Sequence, residues 1–501
     1  ISHFCIDRHL IFARSHDRYD YRNFYSQSDY NRIHNYLMHK RTKIISTIGP
    51  SSKSPTLIKK LYDKGMNVVR INMSHTSIAD MKKIVSDVKA INRKITSSIG
   101  VMIDTQGPEI RTANFGKDIE LTKGDEILLV SKSLKKKNQI IIDNLSHIRG
   151  LKTGGKISLD NGLIDLKIIS ISKQYIKCLV LDSGKISEKK HVNFPGAKIK
   201  LPTLTDKDKA DLNEALKVGV DFIALSFCRS AKDLKGLNSF LSKNKCQPTI
   251  FAKVEDQEGV KNIREITKNS DGLMIARGDL GIETDMTNLP YVQRNMVKIA
   301  SELGKKSIVA TQLLESMINK PHPTRAEVSD VTNAVYEGAD ALMLSGETSI
   351  GKHPVKCVQY LRDISLNAER SETLHFESNL KHESDWHTLA ATSVKLAKKI
   401  KADAIVVLTR SGFTAELISS ARPRVPVFAF TNNRATQNKL SISSSIENVF
   451  LNFNKDHEKT IKNAFDVLKS AYKFKNKNKL IVISGVFSDI FADAIQIRFL
   501  K

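Results

Sequence analysis

From residue 43 onward, short apolar runs rich in β-branched residues alternate with stretches of helical period, the pattern of βα units feeding a parallel sheet. Eight runs form one series: 43–49, 68–73, 100–106, 221–227, 248–255, 272–278, 307–313 and 339–345. Eight parallel strands predict a closed (β/α)8 barrel of the TIM type over 42–112 and 199–367. Between the third and fourth runs the period changes to short alternating strands, broken by turn signals at Lys123-Gly124-Asp125, Thr153-Gly154-Gly155 and Asp160-Asn161-Gly162. This segment, 113–198, reads as a small inserted all-β domain, a β-barrel lid. After the polar stretch 372–384 come a helix at 389–399, strands at 404–409 and 425–430, a helix at 458–474 and a strand at 479–484. They predict a separate C-terminal α/β domain over 368–501, so the fold class is α/β throughout except for the insertion.

The chain's 501 residues allow several domains, and 41% apolar content suits globular cores. No run of 18 apolar residues occurs, so no membrane span is expected. Five cysteines, Cys5, Cys178, Cys228, Cys246 and Cys357, are odd in number and lack CxxC or Cys/His spacing, which argues against a disulfide framework and a structural zinc site. The formal charge of +26 comes without a nucleic-acid-binding motif. Dispersed lysines among Asn, Ile and Ser read as solvated faces, compatible with a field that attracts phosphorylated metabolites. Residues 1–41 cluster Arg, His, Tyr and Phe without a period and read as an extension outside the fold. A cytoplasmic protein is expected, with a plastid or mitochondrial address as the alternative the extension raises.

The polar residues that interrupt the buried runs fall at their C-terminal ends: Arg70, Asn72 and Ser74; Asp104; Lys253 and Glu255; Arg277, Gly278 and Asp279; Thr311 and Gln312; Ser345 and Glu347. In such a barrel those ends make the active site. Two cations, at least three carboxylates and several hydroxyls form an oxygen-only set suited to a hard ion such as Mg2+ shared with a phosphorylated substrate. Phosphoryl transfer fits, because charge neutralisation and positioning carry that chemistry. Neither a Walker loop nor a protein-kinase glycine loop is present, so a nucleotide would need another scaffold.

Seven segments resemble the signature blocks of the pyruvate kinase family, in the family's order: Thr42-Lys43-Ile44-Ile45-Ser46-Thr47-Ile48-Gly49-Pro50, Arg70-Ile71-Asn72-Met73-Ser74-His75, Asp104-Thr105-Gln106-Gly107-Pro108-Glu109-Ile110-Arg111-Thr112, Lys253-Val254-Glu255, Ala276-Arg277-Gly278-Asp279-Leu280-Gly281, Ala310-Thr311-Gln312-Leu313-Leu314-Glu315-Ser316-Met317 and Leu344-Ser345-Gly346-Glu347-Thr348. The resemblance implies phosphoryl transfer from phosphoenolpyruvate to ADP in glycolysis, with Mg2+ (or Mn2+) and K+, in a homotetramer that engages no nucleic acid and no membrane. It places Arg70 and Lys253 on the transferring group and Glu255 and Asp279 on Mg2+. The Gly278 backbone and the Thr311 hydroxyl would lie at the substrate carboxylate. Asn72, Ser74, Asp104 and Thr105 would hold K+; His75, Arg111 and Lys190 would touch the nucleotide; and Ser345 with Glu347 would belong to a chain that protonates the enolpyruvate.

Structural roles compete with several of these. Arg70 and Lys253 could pair with barrel carboxylates, Asp279 could cap the following helix, and His75 could pack or cap. The chain departs from the family pattern at Asp256, Gln106 and Asn161. Glu109 and Thr105 resemble the K+-requiring version of their block and Gln106 the other. In the third domain, Thr409, Ser411, Gly412 and Thr414 resemble the family's effector phosphate loop, with a Ser/Thr helix cap as the alternative. The stretch 484–493 has no Trp, no Arg and two acids, Asp489 and Asp493, so weak or no activation by fructose 1,6-bisphosphate is expected, with any response going to a sugar monophosphate held by Thr409, Ser411 and Thr414. Two rivals stand beside this reading: a barrel enzyme that uses Mg2+ and an enolpyruvate without ADP, and a non-catalytic relative serving assembly or RNA binding.

Overall fold

Apolar β-branched residues dominate strands that are covered on both faces, and the eight runs behave accordingly in the computed structural model, which describes residues 39–501 except 114–115, 135–137, 243–246, 382–383 and 486–492. Strands Lys43–Thr47, Val68–Asn72, Gly100–Asp104, Phe222–Leu225, Thr249–Val254, Gly272–Ala276, Lys306–Ala310 and Ala341–Leu344 pair in parallel and close into a barrel. The third and fourth strands pair directly, Met102 opposite Phe222, across the inserted domain. Inward residues including Val68, Met102, Phe251, Met274 and Met343 fill the barrel, and Phe222 meets Phe251 edge to face at 6.1 Å. Outward residues pack under the surrounding helices.

Every barrel strand stops short of its expected C-terminal end, and at two of them the cause shapes the site. The run 272–278 stops at Ala276, and helix Arg277–Glu283 begins at once. The run 307–313 stops at Ala310 because Thr311 and Gln312 take left-handed φ angles of 69° and 53°. Arg277, Gly278 and Asp279 therefore stand on the first turn of a helix rather than on a strand.

The inserted segment is all sheet but for a single 3-10 turn, Leu145–His147, among its described residues. Its strands form one six-stranded sheet and two two-stranded ladders, rather than the closed lid barrel expected, around a core that includes Leu129, Ile157, Leu166, Cys178 and Phe194. The two chain crossings into it are zipped together: Thr112 exchanges backbone bonds with Lys190 and Lys189, and Val192 N donates to Ile110 O.

The C-terminal domain is a five-stranded sheet in the order Ile446–Phe450, Val427–Thr431, Ala404–Leu408, Lys479–Ser484, Ala494–Phe499, with the last strand antiparallel. Helices Asp385–Lys399, Phe413–Ser420, Arg434–Lys439 and His457–Tyr472 accompany it. It joins the N-terminal end of the barrel through ion pairs. Arg422 grips Asp340 with two bonds of 2.6 and 2.8 Å, Lys306 meets Glu416 at 3.0 Å, and the buried Lys43 donates to Ile446 O.

Candidate active site

At the opposite end of the barrel the polar strand-end residues converge. Asp104, fully buried, closes the third strand and receives Arg70 from the second: Nε at 2.8 Å and Nη2 at 2.6 Å reach one carboxylate oxygen, while Arg70 Nη1 donates to Thr47 at 2.9 Å. Lys253 Nζ lies 3.7 Å from the other Asp104 oxygen and 2.7 Å from Glu255 Oε1. Both cations thus do pair with Asp104, as the structural alternative anticipated, but Lys253 is shared between two carboxylates. Burial lowers its pKa, yet the charges of Asp104, Glu255 and Asp279 outweigh burial and hold it above the ordinary value, so the ammonium is charged. Burial likewise opposes the ionisation of Asp104, and Lys253 and Arg70 overcome it and keep the carboxyl below its usual range.

Glu255 differs. Its Oε2 accepts from Phe227 N at 2.6 Å, yet burial, against the pull of Lys253 and with Asp279 adding to it, lifts its pKa to about 8. Glu255 and Asp279 line one pocket with His191, Phe194, Asp256 and Glu283. Asp279 does not cap its helix: the cap is Ala276, without a side-chain bond. A buried carboxyl whose proton affinity is raised beside a second, partly buried carboxylate fits a hard cation placed between them, and the donors are all oxygen. Among the described residues no group of three or more His, Cys, Asp or Glu is arranged to hold a metal, so substrate and water would complete the shell.

Around this cluster the backbone is strained. Thr311, a β-branched residue at positive φ, turns the chain out of the seventh strand, and its Oγ1 accepts from Gly278 N at 2.8 Å. The strained turn is held by Arg277, whose guanidinium bonds Thr311 O and Gln312 O at 2.8 and 2.9 Å and is anchored by Asp330. Arg277 therefore turns behind the mouth instead of into it. Phe227 is also left-handed, and a Cβ on Gly107 would stand 2.7 Å from its ring, which keeps that position glycine. Glu347 is buried with both oxygens on backbone amides, Leu314 N and Ser345 N, so it positions these loops. The Ser345 hydroxyl is buried and meets no hydrogen-bond partner among the described residues.

The other expected groups divide. Asn72 Oδ1 accepts from Ser74 N, and Ser74 Oγ donates to Glu109 at 3.3 Å, whereas Thr105 Oγ1 faces Ala224 O and Ser226 N at the C-terminal end of the fourth strand. The loop after Thr105 hangs on buried Asp208, which accepts from Gln106 N and Gly107 N while also completing a capping box with Thr205. Arg111 is fixed by Glu109, Lys189 O and His191, Lys190 is paired with Asp160 at 2.9 Å, and His75 is exposed. In the third domain, Thr409 Oγ1 and Ser411 Oγ accept from Gly412 N and Phe413 N at 3.0 and 3.4 Å, and Thr414 is buried, which is the geometry of a self-capped turn. Residues 486–492, including Asp489, lie outside the described residues. Sequence reasoning missed Asp208, the holding role of Arg277, and His191. A signal for His191 was its place two residues past Lys189, on the strand returning opposite Arg111.

A (β/α)8 barrel whose mouth sets two fixed cations against oxygen-only carboxylates, beside an inserted sheet domain, defines a phosphotransferase. Family models for the pyruvate kinase barrel domain and the pyruvate kinase alpha/beta domain match residues 39–358 and 387–497. The chain belongs to the pyruvate kinase family. It is 38% identical over 458 residues to a pyruvate kinase of Staphylococcus epidermidis and 37% identical to one of Staphylococcus aureus, covering 89% of this chain and 78% of each relative. A solved pyruvate kinase from Cryptosporidium parvum superposes with a TM-score of 0.87 at 33% identity, covering 93% of this chain and 97% of that one. Membership implies a divalent metal cofactor, and no helix among the described residues is long and apolar enough to cross a membrane.

Proposed function

We propose that the chain transfers the phosphoryl group of phosphoenolpyruvate to ADP, yielding pyruvate and ATP, with Mg2+ (or Mn2+) and K+ as its ions. The observation that carries this reading is Lys253, a buried charged ammonium held between Asp104 and Glu255 at the barrel mouth. In this reading Lys253 and Arg70 leave their carboxylate partners in part to receive the transferring phosphoryl oxygens, a fixed-cation role that needs no proton transfer by protein. Glu255 and Asp279 would hold the divalent ion, which when bound supplies charge neutralisation for the phosphate oxygens. The Gly278 amide and the Thr311 hydroxyl, already bonded to each other, would turn to the substrate carboxylate. The Ser345 hydroxyl, buried without a hydrogen-bond partner among the described residues, would relay a proton to the enolpyruvate carbon.

Asn72, Ser74, Asp104 and Thr105 would form the K+ site, supported by the Ser74–Glu109 contact beside it. Arg111 and His75 at the mouth, and Lys190 on the inserted domain, would meet the nucleotide. An assay that couples pyruvate formation to NADH oxidation tests the reaction, and folded protein that makes no pyruvate from phosphoenolpyruvate and ADP overturns it. A homotetramer is proposed on family likeness, to be read from the mass in light scattering. At the third-domain loop weak or no activation by fructose 1,6-bisphosphate is proposed, with any effector response going to a sugar monophosphate; strong activation by the bisphosphate would refute it.

A further inference from the structure

His191 lies where the inserted domain returns to the barrel, and its ring is brought to the mouth by pairing with the outgoing strand: Arg111 and His191 form an isolated antiparallel bridge. His191 Nε2 stands 2.5 Å from Arg111 Nη2 and 3.5 Å from Glu109 Oε1. A guanidinium only donates, so Nε2 must present its lone pair, which fixes a neutral ring with the proton on Nδ1. Burial, with Glu109 opposing and Arg111 assisting, keeps the ring's pKa below the ordinary value. Arg111 is then clamped from three sides, by Glu109 on Nε at 2.8 Å, Lys189 O on Nη1 and His191 on Nη2. Two of the three clamps, Lys189 and His191, come from the inserted domain's returning strand.

We infer that His191 is a positioning residue that fixes the guanidinium plane of Arg111 for a nucleotide phosphate, tying that contact to the placement of the inserted domain. The inference rests on the proposed nucleotide contact of Arg111. A planar, bidentate donor binds phosphate well only when its plane is set, and a neutral imidazole sets it without neutralising its charge as a second carboxylate would.

The test uses the full-length enzyme with Arg111→Met, His191→Phe, His191→Gln and the double variant Arg111→Met/His191→Phe. Arg111→Met raises KM for ADP; if it does not, the nucleotide reading of Arg111 fails, and this inference with it. His191→Phe keeps the ring's bulk and removes the acceptor, and raises KM for ADP about three- to tenfold, the range one hydrogen bond supports. KM for phosphoenolpyruvate stays unmoved. His191→Gln, which returns an acceptor, recovers most of that loss, and in the Arg111→Met background His191→Phe adds nothing. An unchanged KM for ADP in His191→Phe, equal losses in Phe and Gln, or full additivity with Arg111→Met would each overturn the inference while leaving the Arg111 reading intact.

Discussion

Both ends of the barrel bury ion pairs, and the two ends use them differently. At the N-terminal end, each carboxylate has cations of its own: Arg422 with Asp340, Lys306 and Lys439 with Glu416, and Arg41 with Glu369. Backbone amides satisfy the remaining lone pairs, as Ser307 N does for Asp340. At the mouth, Lys253 is divided between Asp104 and Glu255, Glu255 is pushed toward protonation, Thr311 and Phe227 are strained, and Ser345 Oγ has no partner among the described residues. Burial of charge is common to both ends, so it does not mark function. What sets the mouth apart is one cation divided between two carboxylates, beside a carboxyl driven toward protonation, because such a cluster is completed by something that binds.

The largest test of this contrast is Arg422→Met. Stripping one member of a largely desolvated pair should cost about 3 kcal/mol of stability, read by urea denaturation, while turnover of the folded enzyme is kept. If turnover collapses and stability holds, the contrast between the ends is wrong. Next is Lys253→Ala, expected to keep the fold and lose roughly 3 to 4 kcal/mol of transition-state stabilisation, about a hundred- to thousandfold in kcat. A wild-type rate at saturating substrate would make Lys253 merely structural. Ser345→Ala removes a buried hydroxyl that meets no partner, so stability should rise by about 1 kcal/mol as turnover falls; a fall in both would show a bonded, structural serine.

The smallest effect sharpens an exception. Lys40, at the N-terminal end, has no carboxylate within hydrogen-bonding distance among the described residues; its ammonium donates to Thr42 O and Asn67 Oδ1, and burial with Lys43 nearby lowers its pKa to about 7. The folded pKa lies below the unfolded 10.5, so the unfolded chain binds this proton more tightly. Below pH 7 the cost is constant, and above it stability climbs with pH until both forms are neutral. From pH 7 to 8 the gain should be about 1 kcal/mol, absent in Lys40→Met. An equal slope in wild type and variant would show the lysine to be solvated.

Most of the barrel was legible because its strands are largely apolar on both faces and all but the third are followed by a helical period. Its mouth was legible as residue types at strand ends. The transitions were not: Ala276 to Arg277 and Ala310 to Thr311 depend on a helix start and a left-handed turn held by Arg277 from a distance, which no local pattern announces. Ile446–Phe450 was missed because Glu447 and Asn448 break its apolar run, and Ala494–Phe499 because an edge strand needs only half its residues covered. His191 escaped because its meaning lies in a partner on the other crossing strand.

That zipped pair of crossings also bears on how the chain finds its fold. Thr105 and Ala224, bonded across the third and fourth barrel strands, are 119 residues apart in sequence, a long loop to close. Once the inserted domain forms and joins 110–112 to 189–192, that loop shrinks to the few residues on either side of the zip and the stretch from 192 to 224. The entropic cost of joining the two halves of the barrel falls accordingly, and the slowest long-range pairing becomes a shorter-range one. The domain placed over the chemistry is thereby also a splint for assembling the barrel beneath it.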